Sequence, residues 1–135
     1  MGELLLAGRI LFVILFLLSG VGHFTRAQMM VPYARAAKVP FPDLMVPLTG
    51  LMLLAGGAGV ALGVWGDLAA ALIAGFLIPT AFLMHRFWGV DPETAMMQQP
   101  HFMKNIALAG AALVLFYLFK QGGDALPYTI TGPLF

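Results

Sequence analysis

The sequence predicts an all-α integral membrane protein, a four-helix antiparallel bundle with short interfacial helices in its first and third loops. Three observations predict it. Four apolar runs, almost free of charge, fill most of the 135 residues. Apolar residues make up 61% of the chain and charged residues 10%, with a mean hydropathy of +0.93, above the apolar share usual in soluble domains. None of the runs keeps the polar outer face that a soluble bundle needs. A single transmembrane domain over 1–135 follows, with helices at about 4–24, 44–64, 67–88 and 103–120.

A bilayer core of about 30 Å takes about 20 mostly apolar residues in a helix. Backbone amides in hydrocarbon must bond within their own segment, so each run is helical. The first run, Leu4 to Phe24, is read as a retained span, because Glu3 weakens a basic leader and no A-x-A-like cleavage site follows. Pro32, Pro40 and Pro42 divide the first loop. A short helix between Pro32 and Lys38 would turn Tyr33, Ala36 and Ala37 to lipid and Arg35 and Lys38 to headgroups.

The second span, 44–64, meets the third through Trp65-Gly66-Asp67, a connection so short that the two form a hairpin. Ala55, Gly59 and Gly63 on one helix and Ala71 and Gly75 on the other suit close packing. Pro79 predicts a kink in the third span and a freed carbonyl. In the third loop Asp91 suits an N-cap, Pro92 a first helical position and Glu93 the first turn of a helix to about Gln98. Pro100 is read as restarting the chain into the fourth span, which Gly122 and Gly123 end. The remaining tail, with Pro127 and Pro133 against a further helix, is expected to pack across the outer mouth.

Arg26, Arg35, Lys38, Arg86 and Lys104 belong to one end of the bundle, and only Arg9 and Lys120 to the other. Positive charge stays on the cytoplasmic side in short loops, so both termini are expected outside. The absence of cysteine removes thiolate and disulfide chemistry from the chain itself. A net charge of +1 gives no footprint for nucleic acid.

His23, Thr49, His85, Lys104 and Asn105 fall at one depth near the inner ends of their helices, beside Phe24, Phe87 and Trp88. Ionisable groups within a membrane are costly and mark sites or pathways. Snorkelling to headgroups explains such residues equally well one at a time. As a ligand-binding set, His23, Thr49, His85, Trp88, Lys104 and Asn105 would offer polar contacts beside an apolar slot. At the other end Arg9 and Asp67 are expected to form a structural ion pair. The chain is not expected to hold a metal, although His23, His85, His101 and Met97 are an alternative set for Cu(I), to which thioether and imidazole are suited.

Arg9, Ser19-Gly20 followed by His23-Phe24, Pro40-x-Pro42, His85-x-Phe87-Trp88 and Lys104-Asn105-Ile106-Ala107-Leu108-Ala109-Gly110 occur in that order. In this the chain resembles the DoxX family of small four-helix membrane proteins. Thr49 departs from the family, in which many members carry an acidic residue there. The resemblance implies a link to redox metabolism and oxidative or thiol stress, and some members are named for a thiosulfate:quinone oxidoreductase. Lacking cysteine, a Rossmann glycine pattern, a Walker loop and a haem attachment motif, the chain reads as a non-catalytic membrane subunit rather than a self-sufficient oxidoreductase. The leading expectation is an accessory subunit of a bacterial inner-membrane redox system, with a pocket for a quinone, lipid or similar amphiphile. The alternatives are a small-solute or Cu(I) transporter and a purely structural subunit of a larger membrane complex. The bilayer is the certain partner, with a redox protein or a second copy of the chain as further candidates.

Overall fold

A computed structural model describes residues 1–135 as five α-helices and one 3-10 turn: α1 (Gly2–Thr25), α2 (Ala27–Ala36), α3 (Pro42–Leu62), α4 (Gly66–Met84), α5 (Pro92–Gly122) and the turn Gly123–Ala125. Four of them, α1, α3, α4 and α5, are long and apolar enough to cross a bilayer. The helix α2 lies in the first loop and packs mainly on α3. It begins at Ala27, upstream of the expected start, and Pro32 sits inside it. An early proline is tolerated because the first-turn N–H groups have no intrahelical acceptor, but one at this depth removes a bond.

The spans pack in the order α1, α3, α4, α5. Their shared core joins Val13 and Phe16, Leu53 and Val60, Ile73 and Leu77, and Ala109, Ala112 and Phe119. Large apolar side chains such as Leu11, Leu18, Leu51, Val114 and Tyr117 point outward. In water that surface would be a liability. In lipid it is the expected face.

Close approach is set by glycines other than some of those the spacing suggests. A Cβ on Gly59 would come within 2.5 Å of Ala69 Cβ, and one on Gly56 within 2.8 Å of Ile73 Cγ1. Gly75 has nothing within 4 Å of such an atom, so it does not serve the α3–α4 contact. The packed stripe on α3 is therefore Gly56 and Gly59, one helical position away from Ala55.

The third loop also differs from the expectation. Asp91 caps α5 as predicted, accepting from the Thr94 N–H at 3.0 Å and the Thr94 hydroxyl at 2.6 Å. The helix then runs on through Pro100 without restarting. A proline in a helix forfeits one backbone bond, here to Met96 O, and at this end that carbonyl lies outside the apolar span. The loop helix and the fourth span are thus one rod, about 46 Å long at 1.5 Å per residue for its 31 residues.

The tail folds back over the end that holds the chain termini. Gly63, left-handed at φ 65°, ends α3, and its carbonyl accepts from the N–H groups of Ile130 and Thr131 at 3.0 Å each. Thr131 Oγ1 accepts from the Trp65 N–H at 2.8 Å. The carboxyl-terminal segment covers this mouth, as the sequence suggests.

Candidate functional site

At the opposite end, α1, α2, α3, α4 and α5 enclose a cavity of about 490 Å³. Its wall is mostly apolar, with Phe16, Met45, Met52, Phe76 and Leu83 among the lining side chains. Its polar lining is Ser19 and His23 from α1, Tyr33 from α2, Thr49 from α3, Thr80 from α4, His85 just beyond α4, and Lys104 and Asn105 from α5. Five of the six residues expected to bind a ligand therefore meet here: His23, Thr49, His85, Lys104 and Asn105.

Local geometry explains how each is placed. A Cβ on Gly50 would lie 2.6 Å from His23 Cβ, so the bare glycine lets α1 sit against α3 at that level. The His23 ring then reaches across, with Nδ1 2.9 Å from Val46 O and 3.1 Å from Thr49 Oγ1. A carbonyl only accepts, so Nδ1 carries the proton and donates. The Thr49 hydroxyl donates to Met45 O at 2.6 Å, leaving its oxygen to receive from His23. The acceptor at this position is thus a neutral hydroxyl. Phe76 meets the imidazole edge to face, at 5.8 Å between centroids.

His85 is held from a different direction. Its Nδ1 donates to Gln98 Oε1 at 2.9 Å, and Gln98 Nε2 donates to Tyr33 Oη at 3.1 Å. This chain ties α2 to α5 across the cavity mouth. Burial lowers the pKa of His85, the bond to Gln98 opposes that shift, and the nearby charges of His101 and Lys104 add to it. The ring is neutral near pH 7.

Asn105 is 5% exposed and makes no side-chain hydrogen bond within the protein. It lines the cavity, as do Gly75 and Pro79, the latter inside α4.

Three of the expected assignments need correction, the Arg9–Asp67 pair described below being the third. Trp88 does not line the cavity: it is 45% exposed and stands edge-on to Phe82, Phe87 and Phe102, with centroids 5.4–6.0 Å apart. The chain leaves the helix at His85, which swings the next residues onto the outer face of α5. Nor do His23, His85, His101 and Met97 converge as metal ligands. His101 stacks on His85 at 5.2 Å on the exposed rim, and Met97 is 66% exposed. No three His, Cys, Asp or Glu side chains are grouped to hold an ion.

The sequence model of the DoxX family matches residues 4–86, which covers α1 to α4. This chain belongs to the DoxX family. Among relatives of the DoxX protein is Inner membrane protein YqjF of Escherichia coli (strain K12), 34% identical over 110 residues, or 82% of this chain and 79% of the relative. Inner membrane protein YphA of the same organism is 27% identical over 112 residues, covering 83% of this chain and 80% of the relative. No solved structure matches.

The matched region includes Arg9 and Asp67, and the DoxX protein does not pair them. Arg9 is 1% exposed, and its Nη2 donates to Tyr128 O at 2.6 Å. Its guanidinium lies 5.7 Å from the centre of the Phe119 ring, and Nε and Nη1 have no partner. Asp67, fully buried, accepts instead from the N–H groups of Leu134 at 2.8 Å and Phe135 at 3.1 Å. The tail supplies main-chain groups to both charges, an acceptor to one nitrogen of Arg9 and two donors to Asp67, and neither residue bonds the other.

Gln98 and Tyr33 are the site residues that sequence reasoning missed. Gln98 and Asn105 are seven apart, two turns along one helix face. That spacing has meaning only if the helix is continuous across Pro100. A register set by Pro32 turns Tyr33 to lipid, but α2 begins five residues earlier, at Ala27, and Tyr33 borders the cavity.

Proposed function

We propose that this DoxX protein is an inner-membrane accessory subunit of a redox system that holds a quinone-like amphiphile in the cavity beside Asn105. One observation carries the reading. Asn105, 5% exposed and without a side-chain hydrogen bond in the protein, lines a space of about 490 Å³ that is otherwise mostly apolar, and so offers its amide to a ligand there. A ligand with a polar ring head and an apolar tail meets both demands. His23, His85 and Lys104 stand in the same wall. The inner-membrane part of the reading draws on the names of the two relatives, and the redox part on what the family resemblance implies. The cavity end faces the cytoplasm in this proposal, because Arg26, Arg35, Lys38, Arg86 and Lys104 lie there.

The test is a titration of the protein in lipid nanodiscs with a decyl-chain benzoquinone, beside empty nanodiscs and the Asn105→Leu variant. Saturable binding that weakens about tenfold in Asn105→Leu is expected, the equivalent of about 1.4 kcal/mol. Uptake of both the quinone and its reduced hydroquinone no greater than that of empty nanodiscs would overturn the proposal.

A further inference from the structure

We infer that the cavity selects a diphenol, the reduced form of a quinone-like ring, over the oxidised ring, through the Nε2 atoms of His23 and His85. The inference rests on the amphiphile-binding reading above and adds the chemical state of its occupant.

Both imidazoles are fixed in the same tautomer by unlike partners. His23 Nδ1 faces the carbonyl of Val46 at 2.9 Å, and His85 Nδ1 faces Gln98 Oε1 at 2.9 Å. Gln98 presents its amide oxygen to His85 and its nitrogen to Tyr33 Oη at 3.1 Å. Each Nδ1 is therefore a protonated nitrogen, and in the neutral ring, the form that burial favours, Nε2 carries a lone pair. Neither Nε2 has a partner in the protein, and neither is sealed off among the unpartnered buried atoms. Both rings line the one cavity.

Two acceptors, one from α1 and one from the end of α4, bordering one mostly apolar cavity, ask for two donors. A quinone has only carbonyl oxygens, which would set lone pair against lone pair at both histidines. A diphenol donates one O–H to each Nε2. Its oxygens still accept, and Asn105 and Lys104, whose side chains carry donors, border the same cavity. Every polar group named then has a partner. With the oxidised ring, only Asn105 and Lys104 do.

A flexible diol, such as a monoacylglycerol head, presents the same two donors. The proposal commits to the ring, because a rigid head holds both O–H groups apart at no cost in ordering, whereas a glycerol loses rotamer freedom.

The experiment uses the whole protein in nanodiscs under anaerobic conditions. Four decyl-chain probes are titrated: the hydroquinone, its quinone, the hydroquinone dimethyl ether and a monoacylglycerol. The hydroquinone is expected to bind about tenfold tighter than each of the other three, as two neutral hydrogen bonds allow. His23→Asn and His85→Asn retain a side-chain N–H where Nδ1 was and lose Nε2. Each is expected to reduce the hydroquinone's advantage over the quinone about threefold to tenfold. Thermal unfolding of each variant at the parent's temperature shows that it still folds.

Failure of the two readings can be told apart. Binding of none of the probes overturns the amphiphile pocket and this inference with it. Equal binding of quinone and hydroquinone, or hydroquinone preference that survives both Asn variants, leaves the pocket standing and overturns the inference. A monoacylglycerol that binds as tightly as the hydroquinone overturns the commitment to a ring.

Discussion

Replacing Gly50 with alanine adds one methyl group at the point where α1 and α3 come closest beside the cavity. That methyl would sit 2.6 Å from His23 Cβ, 3.0 Å from Phe24 Cε2 and 3.2 Å from Gly20 O. Carbon atoms in contact lie about 3.5–4.0 Å apart, so the helices must separate by roughly 1 Å. The nearest atom is a Cβ, rigidly fixed to its backbone, and cannot swing aside. Overpacking of this kind costs about 1–3 kcal/mol, while exchanging a helical glycine for alanine returns about 0.5–1 kcal/mol. A net loss of about 1–2 kcal/mol is expected from those two terms. The same displacement would stretch the 2.9 Å contact of His23 Nδ1 with Val46 O beyond hydrogen-bond range. Gly110→Ala is the matched control, since nothing lies within 4 Å of its added Cβ. Thermal unfolding in detergent, followed by circular dichroism, should show Gly50→Ala melting below the parent and Gly110→Ala at or slightly above it. The hydroquinone affinity should fall in the first alone. A Gly50→Ala protein that melts with the parent and binds as it does would refute the close α1–α3 approach.

Three further outcomes follow from the structure. Asp67→Ala leaves the Leu134 and Phe135 N–H groups without an acceptor, a loss of about 1.5–3 kcal/mol for each charge-assisted bond; the tail can instead turn to water, so hydrogen exchange should speed up over residues 130–135 with little change in α3 and α4. Asn105→Leu should weaken ligand binding about tenfold, whereas Trp88→Leu should leave it within about twofold because the ring belongs to an outer aromatic cluster rather than the cavity; comparable losses in both would restore Trp88 to the site. The Thr94 hydroxyl and N–H hold the Asp91 carboxylate below the usual range. Its capping contribution is therefore full above about pH 3.9, the ordinary value, and is lost only as pH falls through the lower folded value. Protection of the first turn of α5 should accordingly stay level from neutral pH down to about pH 5, and Asp91→Ala should lose it at every pH; protection that declined already between pH 7 and 5 would contradict the cap.

The sequence by itself determined the number of spans, the α3–α4 hairpin, the Asp91 cap and the depth of each polar residue. Those properties depend on length, on the bilayer's thickness and on the rule that backbone bonds close locally, and all of them can be counted along a chain. Thus His23, His85 and Asn105 could be placed at one end before any packing was known. Tertiary structure alone decided which way each side chain points. One residue turns a helix by about 100°, so the end of α4 at His85 turned Trp88 out of the site, and the unbroken α5 brought Gln98 into it. The partners of Arg9 and Asp67 were equally hidden, because Tyr128 and Leu134 reach them only after the tail folds back across more than 60 residues of chain. Rotation about a helix axis and the return of a distant segment are settled by steric fit between elements, and no local pattern encodes that fit.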